Sequence, residues 1–310
     1  MLKKHNVVEF EVEAPDEGFL LQKYLERKRG ISAKGIKKLK YQGAVLLNGQ
    51  KTLMNVKLRA GDRLTLIYPS QKISSYLVPE DVPLNICYED QDILLVEKPP
   101  KLCVHPTKGH PRKTLANGVL FHWQEQGERA TFHLINRLDL DTSGLILIAK
   151  NSYAAQQLFN QQRDKVLQRR YLALVEGRLA HNEGTIDLPI ARVEGRTTRR
   201  LVAPEGVQAI THFQVHGYYQ SQKGEQVYTL LAISLETGRT HQIRVHFSHL
   251  GHPLVGDVFY GAQDSSELER QFLHANYLSF IHPRSQERME FSRDLPWDLN
   301  MFLNNLNPIS

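Results

Sequence analysis

Residues 136–149 constrain the fold more than any other stretch. A polar, charged loop, Asn136-Arg137-Leu138-Asp139-Leu140-Asp141-Thr142-Ser143-Gly144, runs directly into the apolar run Gly144 to Ala149. An apolar run this short, without alternation, reads as a buried strand. The loop therefore sits at the rim of a sheet, and the strand holds its carboxylates on a rigid support. A second segment has the same character: Glu236-Thr237-Gly238-Arg239-Thr240-His241-Gln242-Ile243-Arg244-Val245-His246. Gly238 ends a strand and Thr240 is suited to cap a helix through Leu250, which puts Arg239 at the corner, pointing into a cleft. An arginine beside an aspartate keeps the carboxylate ionised. An ionised carboxylate is what a nucleophile at a sugar carbon requires. Taken alone, such an Asp and Arg are more often a structural ion pair, and Asp141-Thr142 can equally cap a turn.

The rest of the chain predicts a mixed α+β fold. At 310 residues it is long enough for about two domains. From residue 83 onward, Ile93 to Val96, Tyr171 to Val175, Thr211 to Tyr218 and Val227 to Leu235 read as strands. Thr114 caps a helix carrying Leu115, Val119, Leu120 and Trp123, and Ser152 caps another running to about Lys165. Strands outnumber helices, so the sheet is expected to be mixed and mainly antiparallel. No apolar run approaches membrane-spanning length, and the N-terminus has no apolar signal core. A cytoplasmic protein with no membrane partner is the expectation. Cys87 and Cys103 form no CxxC, and no glycine-rich nucleotide loop or GxSxG is present. The series His241, His246, His249, His252 does not have the spacing of HExxH, so a metal site is not predicted.

The charge is uneven. The formal net charge is +6, yet residues 20–68 alone carry about +10, from twelve Lys/Arg against Glu26 and Asp62. A concentration of this kind is the footprint of a polyanion binder. Leu20, Leu21, Tyr24 and Leu25 predict one helix ending near Gly30, and Ser32 caps a second through Tyr41. Their polar faces carry Arg27, Lys28, Arg29, Lys34, Lys37, Lys38 and Lys40. Gly43 to Asn48-Gly49, Val56 to Leu58 and Arg63 to Tyr68 complete a small sheet. With SAKGIKKLKYQGAVLLNGQ and AGDRLTL, this segment resembles the S-four-like RNA-binding domain. The expected organisation is a small RNA-binding α/β module at 1–70 with its core at 17–68, a linker at 71–82, and a second domain at 83–300.

That second domain resembles the RluA-type pseudouridine synthase family. The matching pieces follow in the family's order: YEDQDILLVEKPP (88–100), VHPTKGHPRKTLANGVLFH (104–122), NRLDLDTSGLILIAK (136–150), RRYLALVEG (169–177), LETGRTHQIRVHFSHLGHPLVGDVFYG (235–261) and FLHANYLSFIHP (272–283). The resemblance implies an isomerase that converts uridine within RNA to its C-glycoside isomer: the N1–C1′ bond breaks, the uracil turns, and C5 joins C1′. It implies no cofactor and no metal. By the same resemblance Asp139 is the catalytic aspartate, either as nucleophile at C1′ or as base for the 2′ proton. Tyr171 lines the base pocket, and Arg239 pairs with the carboxylate. Arg137 fills the space of the extruded base, Ile243 walls the uracil, and Arg244 binds phosphate or anchors its helix. Arg27, Lys28, Lys34, Lys37 and Lys38 are the expected RNA contacts of the first module. Structured RNA is the expected partner, ribosomal RNA first and transfer RNA as the alternative, with no protein partner and a monomeric chain. A non-catalytic RNA-binding protein and a nucleosidase are the competing readings. Asn136 stands where the family usually has His, and Lys101 where it commonly has Gly.

Overall fold

The computed structural model describes residues 6–69, 77–195, 198–224, 226–263 and 268–309. Near the N-terminus, β1 (Val7–Glu11), β2 (Ala44–Leu47), β3 (Gln50–Lys51) and β4 (Arg63–Ile67) form an antiparallel sheet in the order β1-β4-β2-β3. Helices α1 (Leu21–Arg27) and α2 (Ala33–Gln42) cover it, burying Leu21, Tyr24, Leu25, Ile36 and Leu39 against Val8, Leu64 and Leu66. Ser32 caps α2, its hydroxyl accepting from the Gly35 amide. Asn48 and Gly49 both have positive φ, 50° and 82°, which closes the β2–β3 hairpin in two residues.

The strand expected at Val56 to Leu58 is instead a loop with a single bridge to Leu20. The reason lies in α1, which has no side-chain cap. The carbonyls of Val56 and Met54 accept from the Leu21 and Gln22 amides, satisfying donors the helix leaves open.

The larger sheet contains β5 (Asn85–Glu89), β6 (Ile93–Lys98), β7 (His133–Leu134), β8 (Ser143–Ala149), β9 (Gln168–Glu176) and β10 (Glu183–Asp187). After a separate hairpin of β11 (Ile190–Arg192) and β12 (Arg200–Val202), it continues with β13 (Ile210–Gln220), β14 (Val227–Leu235), β15 (Leu273–Ile281), β16 (Arg288–Ser292) and β17 (Asn307–Ile309). Its main order is β10-β13-β14-β9-β15-β8-β6-β5. Among the described residues only the β8–β15 pair is parallel. The helices are α3 (Leu115–Glu125), α4 (Ser152–Arg163), α5 (Gln242–His249) and α6 (Trp297–Asn304).

All seven residues of β8 are buried. Ile146 and Ile148 enter the core beside α3, while Leu145, Leu147 and Ala149 pack with Ala154, Ala155 and Leu158 of α4. Alternate side chains thus fill two cores, and each buried Leu or Ile contributes about 1.5–3 kcal/mol. The capping box of Thr114 and Asn117 forms on α3 as expected at Thr114. Two expected caps move by one residue. Asn151, not Ser152, caps α4 by accepting from the Ala154 amide. His241, not Thr240, is the capping position of α5, in the left-handed region with φ 58°.

Helix α4 also holds the N-terminal sheet. Tyr153 is buried in that sheet's core, 5.8 Å from the Phe10 ring and 6.2 Å from that of Tyr68. The amides of Gln157 and Asn160 donate to the carbonyls of Arg29 and Gly30. Of the expected linker, residues 71–76 lie outside the described residues. Residues 77–82 are irregular and lie along α3, where Asn117 donates to the Val78 carbonyl and accepts from the Glu80 amide through its own.

Candidate active site

The loop before β8 is pinned from below through its backbone. The fully buried Lys98, at the end of β6, donates from Nζ to the carbonyls of Pro99 and Leu140 at 2.7 and 2.8 Å. Burial pushes its ammonium down to about 7, with Arg270 pulling the same way and Asp141 and Asp139 opposing. Arg270 donates to the Asp141 carbonyl while Asp298 grips its other face at 2.6 and 3.0 Å. Gly144 has φ 119°, and a Cβ there would come within 2.3 Å of the Ala275 carbonyl on β15, so only glycine lets β8 and β15 approach this closely. Asn136 is buried and ties the loop to β8, donating to the Leu145 carbonyl and accepting from the Leu147 amide. Lys101, the other departure from the family pattern, takes the left-handed φ of 61° that a glycine adopts freely.

On this support Asp139 faces a cavity lined also by Arg137, Arg169, Tyr171, Arg239, Ile243 and Arg244. All six cavity residues expected from the sequence, Asp139, Tyr171, Arg239, Arg137, Ile243 and Arg244, are therefore together. Their pairing differs from the expectation. Arg239 is exposed, and its Nε donates to the Gln208 carbonyl at 3.0 Å. The arginine beside Asp139 is Arg244, with Nη1 at 3.4 Å from Oδ2. The cause is the corner before α5. The Gln242 side chain accepts from the Arg239 amide and from the Thr237 hydroxyl, and donates to Ile210 and Thr211 on β13. That staple fixes Arg239 on the loop and turns Arg244, inside the buried helix, toward the loop of Asp139.

Asp257 completes the charge arrangement. Its carboxylate, with a side chain only 1% exposed, grips Arg244 through two bonds at 2.7 and 2.8 Å. Arg244 therefore lies between two carboxylates, and Asp257 raises its pKa further against the opposing effect of burial. His241 is the third neighbour: Nε2 is 3.9 Å from Asp139 Oδ2, and Nδ1 meets the Tyr260 hydroxyl at 2.7 Å. Burial lowers its pKa, favouring the neutral ring. Tyr171 is buried, which raises its pKa, so the phenol keeps its proton at neutral pH. The sequence reading missed Asp257, Lys98 and Arg270, and treated His241 only as one of a histidine series. Two other imidazoles of that series bond elsewhere, His246 to Thr211 and the Leu188 carbonyl, His252 to the Glu176 carbonyl.

The residues expected of the first module lie outside this cavity. Arg27, Lys34 and Lys37 are exposed, and Lys38 is half-buried. Lys28 is engaged by Asp16 at 2.8 Å. Among the described residues, no helix is long and apolar enough to cross a membrane.

Residues 92–249 match the family described as RNA pseudouridylate synthase. A protein named as an uncharacterized RNA pseudouridine synthase, YjbO, of Bacillus subtilis (strain 168), is 43% identical over 279 residues, covering 90% of this chain and 96% of its own. The ribosomal large subunit pseudouridine synthase D of Haemophilus influenzae (strain ATCC 51907 / DSM 11121 / KW20 / Rd) is 37% identical over 263 residues, covering 81% of this chain and 79% of its own. Among solved structures, human RNA pseudouridylate synthase domain containing 1 aligns with a TM-score of 0.58 at 28% identity, covering 77% of this chain and 92% of that one.

Proposed function

The chain belongs to the RNA pseudouridylate synthase family, and from that premise we propose that it modifies specific uridines of large-subunit ribosomal RNA with Asp139 as the reacting carboxylate. It is an isomerase that converts uridine to pseudouridine in RNA. The observation that carries the assignment of Asp139 is its pairing with Arg244 in a cavity walled by Tyr171, Ile243 and Leu273.

The target uridine must leave its stack before C1′ and C5 can be reached, at a cost of a few kcal/mol. Arg137, exposed at the cavity, stacks in the vacated space and offsets part of that cost. Arg244 holds the carboxylate of Asp139 in place, and the carboxylate attacks C1′ or removes the 2′ proton as the N1–C1′ bond breaks. Ile243 and Leu273 offer apolar contact to the freed uracil while it turns. The protonated phenol of Tyr171 can donate a hydrogen bond to the base. The N-terminal module, residues 1–70, supplies electrostatic affinity through Arg27, Lys34, Lys37 and Lys38.

The test uses RNA labelled with tritium at uracil C5, because C5 loses its hydrogen when it joins C1′. Ribosomal RNA from unmodified transcripts is expected to release tritium with the wild-type chain and none with Asp139→Asn. Release by the Asn variant at the wild-type rate would remove Asp139 from the reaction.

A further inference from the structure

Arg169 is a half-buried cation that the arrangement around Asp139 leaves unused. It lies two residues before Tyr171 on β9, so both side chains leave the same face of the strand, and both line the cavity. A Cβ on Gly238 would stand 3.4 Å from its Nη1, so the guanidinium rests at the cavity's mouth. Among the described residues, it has no carboxylate or hydrogen-bond partner, although its neighbours Arg163, Lys165 and Arg244 all do.

A groove of about 260 Å³ leads away from that point. Arg169 and Leu235 border both spaces, and Lys165, Arg170 and His212 line the groove. Glu236, its lining acid, is already held by Lys165 and His212. Arg170 is braced over the Tyr277 ring at 4.6 Å. The other wall includes Gln162 of α4, two residues past Asn160, whose amide holds the Gly30 carbonyl of the N-terminal module. Two residues turn a helix by about 200°, so Gln162, whose amide donates to the Ile135 carbonyl, leaves the opposite side of α4 from Asn160. The groove therefore begins at the cavity's mouth and ends at α4, the helix that holds the basic module on its other side.

We propose that this groove is a phosphate subsite for the RNA backbone, with Arg169 binding a phosphate at the cavity's mouth and Arg170, on the other face of β9, binding one farther along the strand that runs from the target nucleotide toward α4. A guanidinium fork matches a phosphate's paired oxygens, and an unpaired, half-buried cation gains most from an anionic ligand. The subsite lies between the cavity and α4, the helix that carries the module. It rests on RNA being the substrate, and the experiment separates the two.

The probe is unmodified ribosomal RNA transcript, bound by the wild-type chain, an Arg169→Gln/Arg170→Gln pair and an Arg169→Lys/Arg170→Lys pair between 50 and 200 mM salt. Each lost phosphate contact on a single strand lowers the slope of log affinity against log salt by about 0.7. The Gln pair is expected to lose about twice that and to bind about tenfold more weakly at low salt. The Lys pair keeps the wild-type slope. Should the Gln pair fail to fold because Arg170 no longer braces Tyr277, Arg169→Gln alone is read, with an expected loss of about 0.7. A wild-type slope in a folded Gln variant overturns the subsite. Pseudouridine formation by the wild type in the same tubes is scored separately: its absence beside a lowered slope refutes the reaction and leaves the groove standing.

Discussion

The clamp of Asp257 on Arg244 makes a quantitative claim. Asp257→Asn keeps the shape of the side chain but removes its charge, and turns an NH₂ group toward the guanidinium. One charge-assisted bond is lost outright, about 1.5–3 kcal/mol. Arg244, with a side chain only 10% exposed, is left with Asp139 at 3.4 Å as its remaining carboxylate. Removing one partner of a buried pair typically costs about 3–5 kcal/mol, and burial this complete places Asp257→Asn in that range. With urea slopes of about 1–3 kcal/mol per molar, the midpoint falls by about 1 M or more. Arg244→Met provides the control. There the carboxylate of Asp257 is itself stranded, so adding Asp257→Asn is expected to cost nothing or to restore stability. Equal losses from Asp257→Asn in both backgrounds would show the two groups uncoupled and refute the argument. The same variant should slow tritium release at least tenfold, because the guanidinium that holds the Asp139 carboxylate is no longer fixed by Asp257, a barrier change of about 1.4 kcal/mol or more.

Two further outcomes follow from groups away from the cavity. Lys98 titrates at about 7 in the folded chain and near 10.4 when unfolded. Between those values the unfolded chain binds more protons, so stability rises with pH. A neutral amine also has two N–H bonds, matching its two carbonyl acceptors. Relative to Lys98→Met, the wild type should gain roughly 2–3 kcal/mol in urea unfolding between pH 7 and 9, and parallel pH profiles would contradict the buried amine. Tyr153→Ala removes the aromatic ring that α4 buries in the core of the N-terminal module, at a cost of about 3–5 kcal/mol. Calorimetry should then resolve a separate, earlier transition for the N-terminal module, whereas a single unshifted peak would mean the docking contacts carry no stability.

Hydropathy made legible what depends on local pattern. The polar loop running into Gly144–Ala149 announced a buried strand with carboxylates at its rim, and β8 is buried at every position. The central strand β15 was not legible as a strand. Its pairing with β9 shifts register between His274 and Tyr277, so period-two alternation breaks in the middle, and His274 and Ser279 are buried polar residues. Its partner reveals the logic only in space, where Ser143 and His274 bond each other. The pairing of the arginines failed for a related reason. Arg239 and Arg244 lie five residues apart in one motif, and spacing cannot say which of them meets a carboxylate. A signal was nevertheless present. Gln242 to Phe247 is buried on every side of α5, so Arg244 is a permanent cation within a buried helix and must have a buried anion. Lys98, at the end of the apolar Ile93–Val96 run, poses the same demand, met there by two carbonyls and a lowered pKa. Charges that interrupt an apolar element are therefore the positions at which hydropathy alone predicts a partner without naming it, and in this chain both partners lead to the loop of Asp139.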